Sequence, residues 1–414
     1  MNRNIRLLGF GAGVRLFGAA MIYPYISLFL KNVLNIGYAE IGVLLLLISI
    51  APLLVSPFGG LIADRAGRRR VFLSSLGGEA GAVLLVGLSM HAGLLSGVLL
   101  GGILAGLAGS VAGPAVSAYV ADFAVGSDRS KAFMWLRIGF NAGFTVGVAL
   151  GGVLIGFLGF AGTGMASGAI LVVSTMLLFL LLDPSPYDLA RASKRLAPEQ
   201  AELQQQGPSS IRDSIRILAG DKYFLVFCLA SLLSGLAYGQ WGTTFPLFVN
   251  TILNIPYWIL GIALALNGAI VIFGQTITTN WMTGRRHTTA AIAGTALFGV
   301  SFICLGTLSL FGTGVLIAVF TFVVILTIGE NLGAIPSMTL PSNLAPKSEL
   351  GSYNGVFNTL GGVGGSLAPT LGGLVLATTV NPLLVWAILA VPCLPAIALY
   401  RWLGGRISPE ANRI

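Results

Sequence analysis

Apolar residues run along this chain in long, nearly unbroken stretches, separated by short polar segments. A helix needs roughly 20 consecutive apolar residues to cross the hydrocarbon core of a bilayer. On that measure the pattern predicts helices near 7–30, 39–63, 70–90, 93–121, 133–157 and 160–182. A polar segment from Asp183 to Lys222 follows, and further helices are expected near 223–252, 257–283, 288–311, 313–341, 351–377 and 381–404. A membrane β-barrel would alternate polar and apolar residues, and the long runs exclude it. The expected fold is an all-α membrane protein with 12 transmembrane helices in two pseudo-symmetric six-helix bundles. One bundle covers residues 1–182, the other 223–414, and 183–222 links them. The first apolar segment runs to Leu30 without a small-residue cleavage site, so it reads as a retained helix and not a signal peptide. The linker is rich in Gln, Pro and Ser and reads as a tether. Within it, Ser210-Ile211-Arg212-Asp213 opens like a capped helix. Ile211, Ile215 and Leu218 would share a face there, suited to lying on the inner leaflet.

The two halves repeat. Leu34-Asn35-Ile36-Gly37-Tyr38, with Gly42 beyond it, recurs as Leu253-Asn254-Ile255-Pro256-Tyr257, with Gly261 beyond it. Pro24 answers to Pro246, Pro114 to Pro336, and Gly151-Gly152 to Gly372-Gly373. A duplicated six-helix unit commonly encloses its binding site between the halves and works by rocking one against the other.

Composition narrows the function classes. The 414 residues are 55% hydrophobic and 9% charged, with mean hydropathy +0.90. Soluble domains carry about 25% charged residues, so soluble enzymes, nucleic-acid binders and disordered chains are excluded. The net charge of +9 is not spread as a nucleic-acid footprint. Basic residues gather in alternate loops: Arg3 and Arg6, Arg65 to Arg70, Arg129 and Lys131, Arg191 to Lys222, Arg285 and Arg286, Lys347, and Arg401 to Arg413. This bias predicts a multi-pass protein of the cell (inner) membrane with both termini cytoplasmic. The 57 glycines are about twice the usual share, as expected where small residues let helices approach in lipid. No glycine run is followed by the Lys-Ser or Lys-Thr of a phosphate loop. Cys228, Cys304 and Cys393 lie in apolar stretches as packing residues, and His91 and His287 read as solvated loop histidines. No cofactor, no metal site and no catalytic constellation is expected.

At the second loop the chain reads Gly60-Leu61-Ile62-Ala63-Asp64-Arg65-Ala66-Gly67-Arg68-Arg69. This resembles the signature of the major facilitator superfamily between its second and third helices, with a degenerate copy at Thr283-Gly284-Arg285-Arg286. The resemblance covers the whole chain and implies that superfamily's twelve-helix fold. Within it the chain is similar to the drug:proton antiporter (multidrug efflux) branch. Gly143, Gly147, Val148, Gly151 and Gly152 match that branch's antiporter motif with valine in place of its proline. The other half carries Pro369, Gly372 and Gly373 at the equivalent place, and Gly329-Glu330 with Pro336 is similar to a tenth-helix stretch of some multidrug exporters. The resemblance implies a conformational latch of Gly60, Asp64, Arg65, Gly67 and Arg68, with Asp64 capping helix 11 and Arg68 paired with Asp122.

Three charges fall inside apolar segments: Arg15, Glu79 and Glu330. Such groups cost on the order of 2.5–3.5 kcal/mol at a helix centre and are usually paired or line a cavity. Glu330 is the first candidate for a proton-binding carboxylate, with Arg15 at similar depth as its partner. A purely structural bridge between them and a substrate-contacting acid remain open, and Glu79 is either a coupling group or a packing partner. Tyr25, Asn141, Gln240, Trp241, Asn267, Asn331 and Asn358 are candidate substrate contacts or helix-to-helix ties. The expected function is secondary active transport by alternating access, with protons exchanged for small amphipathic or cationic compounds leaving the cell. The alternatives are a proton-coupled importer whose Arg15 binds an anionic metabolite, a lipid flippase, and a non-transporting receptor of the same fold. The expected partners are a small-molecule substrate, protons and the lipid bilayer, with no nucleic acid, and the chain is expected to be a monomer.

Overall fold

Eleven helices among the described residues of the computed structural model are long and apolar enough to cross a membrane. The described residues are 3–124, 128–192, 211–346 and 349–414. One of the eleven helices, Lys131–Leu181, has 51 residues, about 77 Å of helix against a hydrocarbon core of about 30 Å. It breaks at Gly159, whose φ of 67° and ψ of 179° leave the helical region. The two arms make two crossings, and the expected twelve are accounted for.

Several expected helices are interrupted where proline removes a backbone donor. The first runs Arg3–Ile22, turns at Tyr23–Tyr25 around Pro24, and continues as Ile26–Asn32. The expected 39–63 helix is Tyr38–Val55, a tight turn at Ser56–Phe58, and Gly59–Ala66. Near Pro246, Lys222–Tyr238 gives way to a wide-turned segment, Phe248–Ile252. The sequence repeat is also a backbone repeat, since Asn35 and Asn254 share a positive φ of 54° and 56°.

The chain divides into two compact units. The first comprises Met1–Asn35, Leu47–Gln206 and Pro256–Gly268; the second comprises Ile36–Leu46, Gly207–Ile255 and Ala269–Ile414. Each unit therefore contains a segment from the opposite half of the sequence. In the first unit, the segment from Tyr257 to Gly261 lies against Gly152 and the Tyr25 hydroxyl. In the second, Tyr38 and Gly42 lie against Gly373 and Pro369. The core of the first unit gathers Leu8, Phe72, Tyr119 and Leu178, and one core of the second gathers Phe224, Phe227, Tyr353 and Tyr400.

The linker is more ordered than a tether at its ends. Short helices form at Pro186–Ala192 and Ile211–Gly220, and Leu218 is buried in the second unit's core. The expected tether at 193–210, the expected cap Ser210, and Lys347 lie outside the described residues. His287 corrects the sequence reading. It is 3% exposed, because the segment ending in Ile414 folds back over it. Asn412 accepts from the backbone N–H of His287 through its carbonyl (2.7 Å) and of Thr288 through its side chain (3.0 Å).

Candidate functional site

In the first unit the arginine-rich loop is tied down by acids from three segments. Arg68 Nε and Nη2 donate to Asp64 Oδ1 at 3.2 and 3.0 Å, and Nη1 donates to Asp122. The guanidinium also lies 4.2 Å from the ring centroid of Tyr187, whose hydroxyl donates to the Asp64 carbonyl at 2.9 Å. Gly67 turns the chain with φ 97°, a conformation that favours glycine. Arg65 is exposed, and a Cβ at Gly60 would meet nothing within 4 Å.

Sequence reasoning missed Asp188 in this cluster. The helix Arg68–His91 has no acid in its first turn, and Asp188 supplies one. Its two oxygens accept from the backbone N–H groups of Arg68 and Arg69 at 2.8 and 3.1 Å. Such a carboxylate satisfies orphan donors and complements the helix dipole. The signal was present as Ser185-Pro186-Tyr187-Asp188, a reciprocal cap in which Asp188 N donates to Ser185 Oγ at 3.1 Å. Asp188→Ala is expected to cost about 1 kcal/mol, seen as a lower unfolding midpoint of the detergent-purified protein; an unchanged midpoint would remove Asp188 from the account.

Deeper in the first unit, Arg15 is paired with Glu79 and not with Glu330. Arg15 Nε donates to Glu79 Oε2, and Nη2 donates to Oε1 at 3.3 Å. The side chains are 12% and 3% exposed, so the pair is closed off. A Cβ at Gly109 would lie 2.6 Å from Arg15 Nη2, which ties this pair to a glycine on a third helix.

The glycines of the fifth-helix motif form a packing surface. Gly139, Gly143, Gly147 and Gly151 face the backbone of Gly9, Gly13, Phe17 and Met21 in turn. Both series advance by four residues, so one helix lies along the other with nothing between their backbones. Val148, where the resembled motif has proline, gives its carbonyl to the Tyr25 hydroxyl at 2.7 Å. In the second unit Gly364 and Gly372 face Leu232 and Thr244.

The second unit contains a cavity of about 350 Å³ with Glu330 on its wall. The helices Lys222–Tyr238, His287–Leu308, Val315–Leu344 and Leu350–Thr378 line it, and Tyr400 closes one side. Tyr238 shares the cavity wall with Glu330, and its ring centroid sits 5.6 Å from that of Phe298. Ser234 and Thr295 bond to each other at 2.9 Å, as do Ser231 and Tyr400 at 3.0 Å. Among the described residues lining the cavity there is no Lys, Arg or His. The chemistry on offer is one carboxylate among ring faces and hydroxyls, which suits a cation or a proton. Asn358 also lines it. The series Ser231, Ser234 and Tyr238 sits on one helical face, a spacing from which these cavity residues were readable.

Of the remaining candidates, all but Asn141 are buried. Tyr25 is fully buried against Val148, and Gln240, fully buried, donates to the carbonyls of Leu236 and Ala368 at 3.1 Å each. Trp241 stacks on Phe245 at 5.1 Å. Asn141 bonds back to Arg137 in its own helix, and Asn331 donates to the Ile270 carbonyl at 3.3 Å. Asn267 is 5% exposed. Among the described residues no group of three or more His, Cys, Asp or Glu side chains could hold a metal ion.

Comparison with known proteins agrees with this architecture. The family profile described as Major Facilitator Superfamily matches residues 8–369 and 284–413. A Na(+), Li(+), K(+)/H(+) antiporter of Planococcus maritimus is 28% identical over 375 residues, covering 84% of each chain. Multidrug resistance protein 2 of Bacillus subtilis (strain 168) is 30% identical over 119 residues, 29% of each chain. Among solved structures, the POT family transporter PepTSo superimposes with a TM-score of 0.76 at 16% identity, over 98% of this chain and 99% of that one. A bacterial homolog to the human lysosomal transporter Spinster gives 0.72 at 15% identity, over 99% of this chain and 100% of that one. At such identities the likeness is one of fold. The extent of the family match, together with the twelve crossings and the arginine-rich loop, shows that the chain belongs to the Major Facilitator Superfamily of membrane transporters.

Proposed function

We propose that this transporter is a proton-coupled antiporter that moves small cationic or amphipathic compounds out of the cell, with Glu330 as the exchanging group. It works by alternating access in the cell membrane, with both ends of the chain in the cytoplasm. The observation that carries the reading is the cavity acid: Glu330 stands among aromatic and hydroxyl groups with no basic side chain among the described lining residues. A carboxylate in that setting holds either a proton or a cation, and competition for one site is the simplest form of exchange. The volume of about 350 Å³ lies at the small end of ligand sites, which span about 300–1,000 Å³. The relatives named as an ion/proton antiporter and a multidrug resistance protein support the same reading.

Arg15 bears on the rival reading, in which an importer binds an anionic metabolite. Its guanidinium is engaged through two nitrogens by Glu79, so an anion would have to displace a buried carboxylate. The test is proton movement in reconstituted vesicles carrying an internal pH dye. Adding tetraphenylphosphonium or Na⁺ should drive protons across wild-type vesicles. Glu330→Gln should fall to the level of empty vesicles while keeping its unfolding midpoint. Exchange by that variant at the wild-type rate would discard Glu330 as the coupling group, and uptake of an anion driven by protons would favour the importer.

A further inference from the structure

A second hollow in the first unit lies outside the transport reading. It holds about 730 Å³ between the first part of the helix Arg68–His91 and the last part of Lys131–Leu181. Its floor is made by Gly77 and Ala80, and its far wall by Val172, Met176 and Phe179. The two hydroxyls on its walls are bonded back to their own helices: Ser74 Oγ donates to the Val71 carbonyl at 3.1 Å and Thr175 Oγ1 to the Leu171 carbonyl at 2.8 Å. The rest of the lining away from the mouth is hydrocarbon: Leu73, Ala80, Val172, Met176 and Phe179, with Gly77 between them.

One end is different. Arg69 and Arg70 line the mouth. Arg69 is fixed there, because its Nε donates to the Leu182 carbonyl at 2.9 Å and its Nη2 to Phe179 at 2.6 Å. The carboxylate of Asp188 lies on its backbone side. Arg70 is exposed and has no hydrogen-bond or ion-pair partner among the described residues. No Asp or Glu is among the described residues lining the hollow.

The length of the hollow fits one leaflet. From Arg70 to Ala80 the helix rises about 15 Å, half of a hydrocarbon core of about 30 Å. Exposed Met176 and Phe179 border the groove, so a chain could enter from the lipid side. We propose that this groove binds an anionic phospholipid of the cytoplasmic leaflet, with its phosphate on Arg70 and Arg69 and an acyl chain along Gly77 and Ala80. Basic pockets between transmembrane helices on the cytoplasmic side take up headgroups in this way.

The test uses the full chain purified in detergent, with native mass spectrometry counting the lipid it retains. Phosphatidylglycerol is compared with phosphatidylcholine carrying the same acyl chains. The wild type should retain phosphatidylglycerol in preference. Arg70→Gln should reduce that retention about five-fold, the effect of one arginine near an anionic surface, and leave phosphatidylcholine unchanged. Gly77→Phe should lose both lipids by filling the groove. A Cβ at Gly77 meets only the Thr175 methyl, at 3.8 Å, so the variant should fold, and an unchanged unfolding midpoint checks this. Equal retention of the two lipids by wild type, or wild-type retention by either variant, would overturn the proposal.

Discussion

Replacing Glu79 with alanine should lower the stability of the detergent-purified transporter by about 3–5 kcal/mol. The reason is the charge left behind. Arg15 is 12% exposed and has Glu79 on two of its nitrogens. Breaking a buried pair by removing one partner is far more destabilising than removing both. The double variant Arg15→Met, Glu79→Leu should therefore recover most of the loss. Thermal unfolding of the single and double variants measures both effects. A Glu79→Ala protein as stable as wild type would mean that the pair is not closed off as described. Transport by the double variant then separates a packing role from a coupling role, since the fold is restored and the charges are gone.

Leucine at Gly147 should have a larger effect and prevent a stable, monodisperse protein from being recovered. Inserting extra atoms into a well-packed core costs about 1–3 kcal/mol when side chains can yield. Here the obstacle is backbone: a Cβ at Gly147 would lie 2.9 Å from Phe17 Cα and closer still to its carbonyl oxygen. The neighbouring contacts of Gly143 with Gly13 and Gly151 with Met21 would be opened by the same displacement. Gly156 is the control on the same helix, because a Cβ there meets nothing within 4 Å. Gly156→Leu should elute and unfold like wild type. A normal elution profile for Gly147→Leu would show that the two helices do not pack backbone against backbone.

Reading the chain by its apolar runs located the helices because the bilayer fixes their length and leaves little else for such runs to do. The breaks were less legible. Proline at 24 and 246 was noted as a repeat, yet whether a proline bends a helix or ends it depends on what replaces the missing hydrogen bond. Arg15 shows a different limit. Its depth suggested Glu330 as partner, but pairing depends on direction around the helix as well as depth. Gly9 and Gly13 face the glycine stripe, and two residues further on, the helix has turned about 200°. Arg15 therefore points away from that stripe, toward Glu79 and Gly109. Glycine spacing on the first helix carried this information and was read only as general close packing. The cavity around Glu330 was half legible: the acid stood out as a buried charge, whereas Tyr238 and the paired hydroxyls looked like ordinary helix residues. Asp188 was overlooked because a polar linker invites treatment as a spacer.

The segment from Pro256 to Gly268 belongs to the first unit, although it is synthesised well after the rest of that unit. At about 5–20 residues per second, the ribosome needs several seconds to travel from Gln206 to Pro256. Throughout that interval the nascent first unit lacks the piece that covers Gly152 and the Tyr25 hydroxyl. Assembly of this unit is thus obliged to wait for translation, with Gly152 left uncovered until the later segment emerges.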